Sequence, residues 1–198
     1  LANIENLEVR GNGQFNALGN DAANLLIGNA MSNRLEGAGG NDTLDGQGGA
    51  DQLIGGEGDD TYLVDHTGDI LSEATNAGTD NVRVAINASG ATFVLAANIE
   101  NAAVVGSVAN NLTGNALANR LDGGAGIDTL TGGNGGDTYV VDNAADTIVE
   151  TSTLANEIDT VLSSVNWTLG ANLENLGLLG SADLVATGNL LNNQLNGN

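Results

Sequence analysis

The stretch GAGGNDTLDGQGGADQLIGGEGDDTYLVD, residues 37–65, decides the fold. It divides into three nine-residue frames, 37–45, 46–54 and 55–63, each reading G-x-x-G-x-D-x-U-x with U a large apolar residue. Glycine and aspartate are poor builders of both helix and strand, so their strict register needs a physical reason. The frame recurs at 123–131 and 132–140, and in weaker form at 19–27, 28–36, 114–122 and 188–196. In the weak frames asparagine takes the sixth place and the fourth-place glycine is lost.

A longer period lies over the short one. GNAMSNRL, GNALANRL and GNLLNNQL begin at residues 28, 114 and 188. Asn3-Ile4-Glu5-Asn6, Asn98-Ile99-Glu100-Asn101 and Asn172-Leu173-Glu174-Asn175 mark matching positions in successive blocks. Between them, residues 82–86 and 91–95 alternate apolar and polar and read as short strands. No proline- or serine-rich linker separates the blocks. The expectation is one continuous solenoid over 1–198, with nonad clusters at 19–65 and 105–142 and a degenerate one at 180–198.

Composition narrows the partners. The chain has 25 acidic residues against 4 basic ones, a net charge of −21. That balance argues against nucleic acid and anionic membranes, both of which need basic patches, and favours cations. Cysteine and proline are absent, which excludes disulfides and thiolate metal sites. Hydrophobic residues make up 41% of the chain but aromatics only 3%, so the core is aliphatic and thin. No apolar run approaches the length of a membrane span.

The frame has a mechanical explanation. Glycines permit tight turns. The last three residues of a frame, such as Thr43-Leu44-Asp45, form a short strand with one inward side chain, giving an inward set of Leu26, Leu35, Leu44, Leu53, Tyr62, Leu121, Leu130 and Tyr139. One apolar residue per nonad makes no core alone, so nonads must stack. Stacked strands lie about 4.8 Å apart, which brings like-numbered aspartates together. Calcium–oxygen distances are roughly 2.4 Å, so one Ca²⁺ spans that gap and cancels the repulsion.

These frames resemble the calcium-binding repeats of RTX proteins, large bacterial proteins exported by type I secretion; 55–65 (GGEGDDTYLVD) and 132–142 (GGNGGDTYVVD) carry the resemblance most clearly. It implies an all-β fold, a right-handed parallel β-roll or β-solenoid held by calcium between stacked Gly/Asp loops. It implies two nonads per turn, so that each loop stacks on the loop two frames away. Asp42 then faces Asp60, Asn33 faces Asp51, Asn24 faces Asp42, Asn119 faces Asp137 and Asn110 faces Asp128. It also implies carbonyl ligands at the first and third places: Gly37, Gly39, Gly46, Gly48, Gly55, Glu57, Gly123, Ala125, Gly132 and Asn134. Asparagine at the sixth place still offers an oxygen but attracts Ca²⁺ less.

No catalytic constellation emerges, and the chain is not expected to be an enzyme. His66, the one histidine, has no nucleophile or metal set spaced around it and reads as a surface residue. Phe93 and Trp167 hold matching places and read as packing residues. Glu5, Glu100 and Glu174 recur once per block, which paired-carboxylate catalysis would not require. The glycosylation sequons at Asn111 and Asn166 read as chance in so Asn-rich a chain. Ice binding would need a regular outward row, and the seventh places read Leu25, Arg34, Thr43, Gln52 and Thr61. Two readings stay open: a structural solenoid of a secreted or cell-surface protein (adhesin extender, surface layer or fibre), with copies associating end to end, and the calcium module of a secreted protease, lipase or polysaccharide epimerase. Either places the chain outside the cell, with Ca²⁺ as its cofactor and partner.

Overall fold

A computed structural model describes residues 5–154 and 156–198; Asn3 and Ile4, where the first Asn-Ile-Glu-Asn block begins, lie outside the described residues. Secondary structure among the described residues is entirely β, in short strands. Two compact units are present. One comprises the chain up to Asn87 together with Ala96–Asn101, and the other comprises Ala88–Leu95 with Ala102–Asn198.

The first unit carries β1 (Asn6–Glu8), β2 (Asn16–Leu18), β3 (Leu25–Ile27), β4 (Arg34–Gly39), β5 (Thr43–Asp45), β6 (Gln52–Glu57), β7 (Thr61–Val64), β8 (Ile70–Ser72) and β9 (Asn81–Val84). Odd-numbered strands pair in parallel, placing Leu7 beside Leu26, Leu26 beside Leu44, Leu44 beside Tyr62 and Tyr62 beside Val82. Even-numbered strands form a second parallel sheet, with Ala17 beside Leu35, Leu35 beside Leu53 and Leu53 beside Leu71. Through the nonads each strand pairs with its counterpart two frames on, so two nonads make a turn, as the RTX resemblance implies. The result is a parallel β-solenoid. The nonad strands β3 to β6 each turn one large apolar side chain inward and β7 turns two, Tyr62 and Val64; Leu26, Leu35, Leu44, Leu53 and Tyr62 are at most 1% exposed.

The second unit repeats the scheme with β10 (Ala91–Val94), β11 (Asn101–Val104), β12 (Asn110–Thr113), β13 (Arg120–Asp122), β14 (Thr129–Thr131), β15 (Thr138–Val141), β16 (Thr147–Val149), β17 (Thr160–Ser163), β18 (Trp167–Thr168), β19 (Asn175–Leu178), β20 (Ala186–Thr187) and β21 (Gln194–Asn196). One parallel stack sets Leu121 beside Tyr139, Val161, Leu176 and Leu195 in succession. A second sets Phe93 beside Leu112, Leu130 and Ile148, while Trp167 pairs with Ala186. Outside the strong frames the turn length drifts. The turns from Tyr62 to Val82 and from Tyr139 to Val161 are longer than a double nonad, and that from Val161 to Leu176 is shorter. The registers stay parallel throughout, so loops rather than strands absorb the difference.

Glycine serves two separate needs in the frame. The fourth-place residues Gly40, Gly49, Gly58 and Gly135 sit at φ between 90° and 124°, which a side chain rarely tolerates. The first-place glycine instead leaves room. A Cβ on Gly37 would overlap Oδ2 of Asp42 and stand 2.7 Å from the Gly55 carbonyl oxygen. Gly37→Ala should therefore destabilise the calcium-loaded chain by about 1–3 kcal/mol, the usual cost of overpacking. Gly39→Ala is the control, because its Cβ would meet nothing nearer than 3.6 Å. Urea unfolding in calcium compares the two, and equal midpoints would show that the loop rearranges at no cost.

Candidate metal centre

The sixth place of each frame faces inward, so its carboxylate or amide is carried into the solenoid beside the aliphatic row. Asp42, Asp51, Asp60, Asp128 and Asp137 are at most 2% exposed. Each is engaged by the backbone one turn earlier. The N–H of Asn24 donates to Oδ1 of Asp42 at 2.7 Å, that of Asn33 to Asp51 at 2.7 Å, and that of Asp42 to Asp60 at 2.7 Å. The second unit repeats this with Asn110 to Asp128 and Asn119 to Asp137, both at 2.7 Å. All five stacked pairs expected from the sequence are adjacent, joined by an amide.

That amide satisfies one carboxylate oxygen. Oδ2 of Asp42, Asp51, Asp60, Asp80, Asp128 and Asp137 is buried with no hydrogen-bond partner. Nor do arginines serve them: Arg10, Arg34 and Arg120 pair with Glu8, Glu36 and Asp122 at the surface. Burying a carboxylate oxygen without a partner is costly, and these six atoms among the described residues form a donor set suited to a cation.

The first-place carbonyls close on the same points. Over Gly37, Oδ2 of Asp42 and the carbonyl oxygen of Gly55 converge; over Gly19, Gly28 and Gly114, the side-chain oxygens of Asn24, Asn33 and Asn119 meet the carbonyls of Gly37, Gly46 and Gly132. Of the third-place residues, Gly39 and Gly48 are half-buried, and Glu57, Ala125 and Asn134 lie exposed at the outer side of the loops. Gly123 is buried beside Asp128. An oxygen-only set of carboxylate and carbonyl donors suits a hard cation such as Ca²⁺.

Asparagine frames differ in a way that the sequence did not disclose. Oδ1 of Asn24, Asn33, Asn119 and Asn193 accepts the N–H of the second-place residue in its own frame, from Asn20, Asn29, Asn115 and Asn189, at 2.7–2.8 Å. These loops close on themselves. In the aspartate frames the second place instead turns to positive φ, as at Ala38, Gln47, Gly56 and Gly133, and Oδ2 stays open. Asp42→Ala and Asp60→Ala should therefore weaken calcium binding by about tenfold or more, in line with the roughly 1.5–3 kcal/mol of interactions to charged groups. Asn33→Ala and Asn119→Ala should change it little. Calorimetric titration of the four variants decides, and equal losses would assign the binding to carbonyls alone.

Each ladder has a defined end. One branch runs from Asp42 and Asp60 to Asp80, whose N–H donates to Oε2 of Glu100 at 2.8 Å. Its counterpart runs from Asp137 to Asp159, whose N–H donates to Oε2 of Glu174 at 2.9 Å. The once-per-block Glu100 and Glu174 are thus amide acceptors. The alternate branch ends at Asp69 and Asp146, whose second oxygens turn back to the N–H of His66 and Asn143. His66 itself is exposed, and its Nδ1 accepts from the Gly68 N–H at 3.0 Å.

At the end of each long branch further acids gather: Asp60, Glu73 and Asp80 in one unit, Asp137, Glu150 and Asp159 in the other, with their oxygens within 4.8 Å of one another. Of these only Asp60 and Asp137 were legible from the frame. The missed signal was a second recurrence, DTYLVDHTGDILSE at 60–73 and DTYVVDNAADTIVE at 137–150, in which a Glu closes the segment at the same remove from the Tyr. Burial is the main cause that pushes Asp51, Asp60, Asp80 and Asp137 up to about 6 and Asp159 up to about 7. Neighbouring acids add to the rise, and the amide donated to each opposes it. Asp42, Asp128 and Glu73 are also raised, again chiefly by burial. Tyr62 and Tyr139 are pushed well above the ordinary phenol range by burial and by the Glu beside each.

A family model for the RTX calcium-binding nonapeptide repeat, in four copies, matches residues 27–62 and 113–148. These two stretches are RTX calcium-binding nonapeptide repeats. The matched stretches coincide with the parts of both units where the RTX turn keeps to two nonads and the orphaned carboxylates stack. The RTX repeats make calcium the implied ion. No curated protein matches the chain.

Proposed function

We propose that this RTX solenoid is a calcium-dependent structural segment of a secreted or cell-surface bacterial protein, serving as an adhesin extender, surface layer or fibre. The observation that carries the reading is the row of buried, unpartnered Oδ2 atoms in both units. It makes the fold conditional on a divalent cation and supports a chain that stays open where calcium is scarce and closes outside the cell. RTX repeats occur in secreted bacterial proteins, and an unfolded chain suits passage through a type I secretion channel. The structural rather than catalytic reading is supported by Glu100 and Glu174, whose carboxylates accept buried amides.

Calorimetry with calcium and with magnesium tests it. Dissociation constants of about 0.1–1 mM, typical of extracellular calcium modules, are expected for calcium, with little heat from magnesium. No calcium binding at millimolar concentration would end the reading. Sedimentation of the same chain in millimolar calcium tests homotypic association: growth with protein concentration supports the fibre, and a monomer throughout removes it.

A further inference from the structure

The two acidic groups at the ladder ends have a chemistry that differs from that of the loops. In the loops one carboxylate oxygen converges with a backbone carbonyl. Here three side-chain carboxylates converge, and their surroundings are built around them. Over Gly55, Oδ2 of Asp60, Oε1 of Glu73 and the hydroxyl of Tyr62 approach one point; over Gly132, Oδ2 of Asp137 and the hydroxyl of Tyr139 do the same. The Gly55 N–H donates to the Tyr62 oxygen at 2.8 Å, and the phenol in turn donates to Glu73. Tyr139 donates to Oε2 of Glu150 at 2.6 Å. Asn98 and Asn172, at φ 67° and 61°, donate their side-chain amides to the backbone carbonyls of Glu73 and Glu150. Each Glu is therefore held from its side chain and its main chain in both units.

We propose that Asp60, Glu73 and Asp80, and likewise Asp137, Glu150 and Asp159, form a second class of divalent-cation site, one per unit, that binds Ca²⁺ through three side-chain carboxylates. Acidic residues cluster on many surfaces without an ion, but here the two aspartates of each group are buried and the Glu is at least half-buried. Asp60, Asp80 and Asp137 are fully buried, and the Oδ2 of each has no partner. An oxygen spread of 4.8 Å is about twice a calcium–oxygen distance of roughly 2.4 Å. A shared proton between Asp60 and Glu73 would relieve the repulsion for two carboxyls but leave the third unmatched, whereas one divalent ion serves all three. Tyr62 and Tyr139 are positioning residues, each donating to one oxygen of its Glu and orienting it. The proposal rests on the RTX reading only for the identity of the ion.

Tyr62 and Tyr139 are the two tyrosines of the chain, so each site carries its own reporter. The test compares the full chain with Glu73→Gln combined with Glu150→Gln, which keeps an oxygen for each phenol. Equilibrium dialysis should show two fewer calcium ions bound per chain. Tyrosine-sensitised terbium emission should fall by about fivefold or more, with Trp167 unchanged in both proteins. Calcium bound at the loops should still support the strand signal in circular dichroism. An unchanged ion count with unchanged terbium emission overturns the proposal and leaves the loop sites standing; a parent chain that binds no calcium overturns the RTX reading instead. If the double Gln variant does not fold in calcium, Glu73→Asp with Glu150→Asp carries the test. It retains the charge but draws the oxygen back by one methylene, so weaker binding of two ions supports the site, and parental affinity at every site overturns it.

Discussion

In excess chelator at neutral pH, the chain should lose most of its strand signal in far-ultraviolet circular dichroism and regain it on titration with calcium. The expectation follows from the buried Oδ2 atoms of Asp42, Asp51, Asp60, Asp80, Asp128 and Asp137. An ionised carboxylate enclosed without a counter-charge costs several kcal/mol, and a folded domain has a net stability of only about 5–15 kcal/mol. Several such groups therefore exceed the whole reserve of a core built largely from one aliphatic side chain per strand. Calcium reverses the balance, since each site at ten times its dissociation constant contributes about 1.4 kcal/mol. Spectra that are identical with and without calcium would mean that the aliphatic ladder alone sustains the solenoid, and the ion would then be only an accessory.

Acid should do in the absence of calcium part of what calcium does at neutral pH. Asp51, Asp60, Asp80 and Asp137 titrate at about 6 in the folded chain and Asp159 at about 7, against about 3.9 for an unperturbed aspartate. A folded-state value above the unfolded one means that the fold binds the proton more tightly. Its contribution is complete below about pH 4 and is lost as the pH rises through 6 to 7. The chelated chain should therefore gain strand signal between about pH 7 and about pH 4.5, steeply because several protons are taken up together. In calcium the dependence inverts, because below about pH 6 protons compete with the ion for the same oxygens. Circular dichroism against pH, with chelator and with calcium, checks both arms. A chelated chain that remains without strands at the acid end of that range would show that neutralising the carboxyls is insufficient and that the ion's bridging geometry is required.

Much of this architecture was legible because nine-residue spacing is a strong constraint. Leu26, Leu44 and Tyr62 fall into one stack and Leu35 and Leu53 into another, with the register of two nonads per turn. Val82–Ile86 and Ala91–Leu95 gave their strands through simple alternation, at β9 and β10. Legibility ended where the period did. Glu73 and Glu150 lie beyond the last strong frame of each cluster, at a remove from the tyrosine that is no multiple of the frame. Their inclusion depends on where a turn longer than two nonads returns the chain, from Tyr62 to Val82 and from Tyr139 to Val161. The recurrence of Glu100 and Glu174 was visible, but not the amide each accepts, because the bonds from Asp80 and Asp159 span unequal lengths of chain. The self-closed asparagine loops were hidden for a local reason. Whether the second-place N–H meets the sixth-place oxygen depends on a backbone twist at Ala38 or Gln47, positions where the residue type gives no warning of positive φ.

The amide that joins each rung to the next points one way along the chain. Asn24 donates to Asp42, Asp42 to Asp60, Asp60 to Asp80 and Asp80 to Glu100; every donor lies upstream of its acceptor. The rungs overlap like roof tiles, each covered by the one laid after it. A polypeptide delivered amino end first therefore always carries one uncovered amide at its advancing front, and only the arrival of the following rung seals it. Growth in that direction closes each rung as the next is laid. A break within the row leaves a bare N–H on the upstream fragment and, on the downstream fragment, a carboxylate still open to water or an ion. The two fragments meet different penalties, so the row is polar in its assembly although its outline repeats.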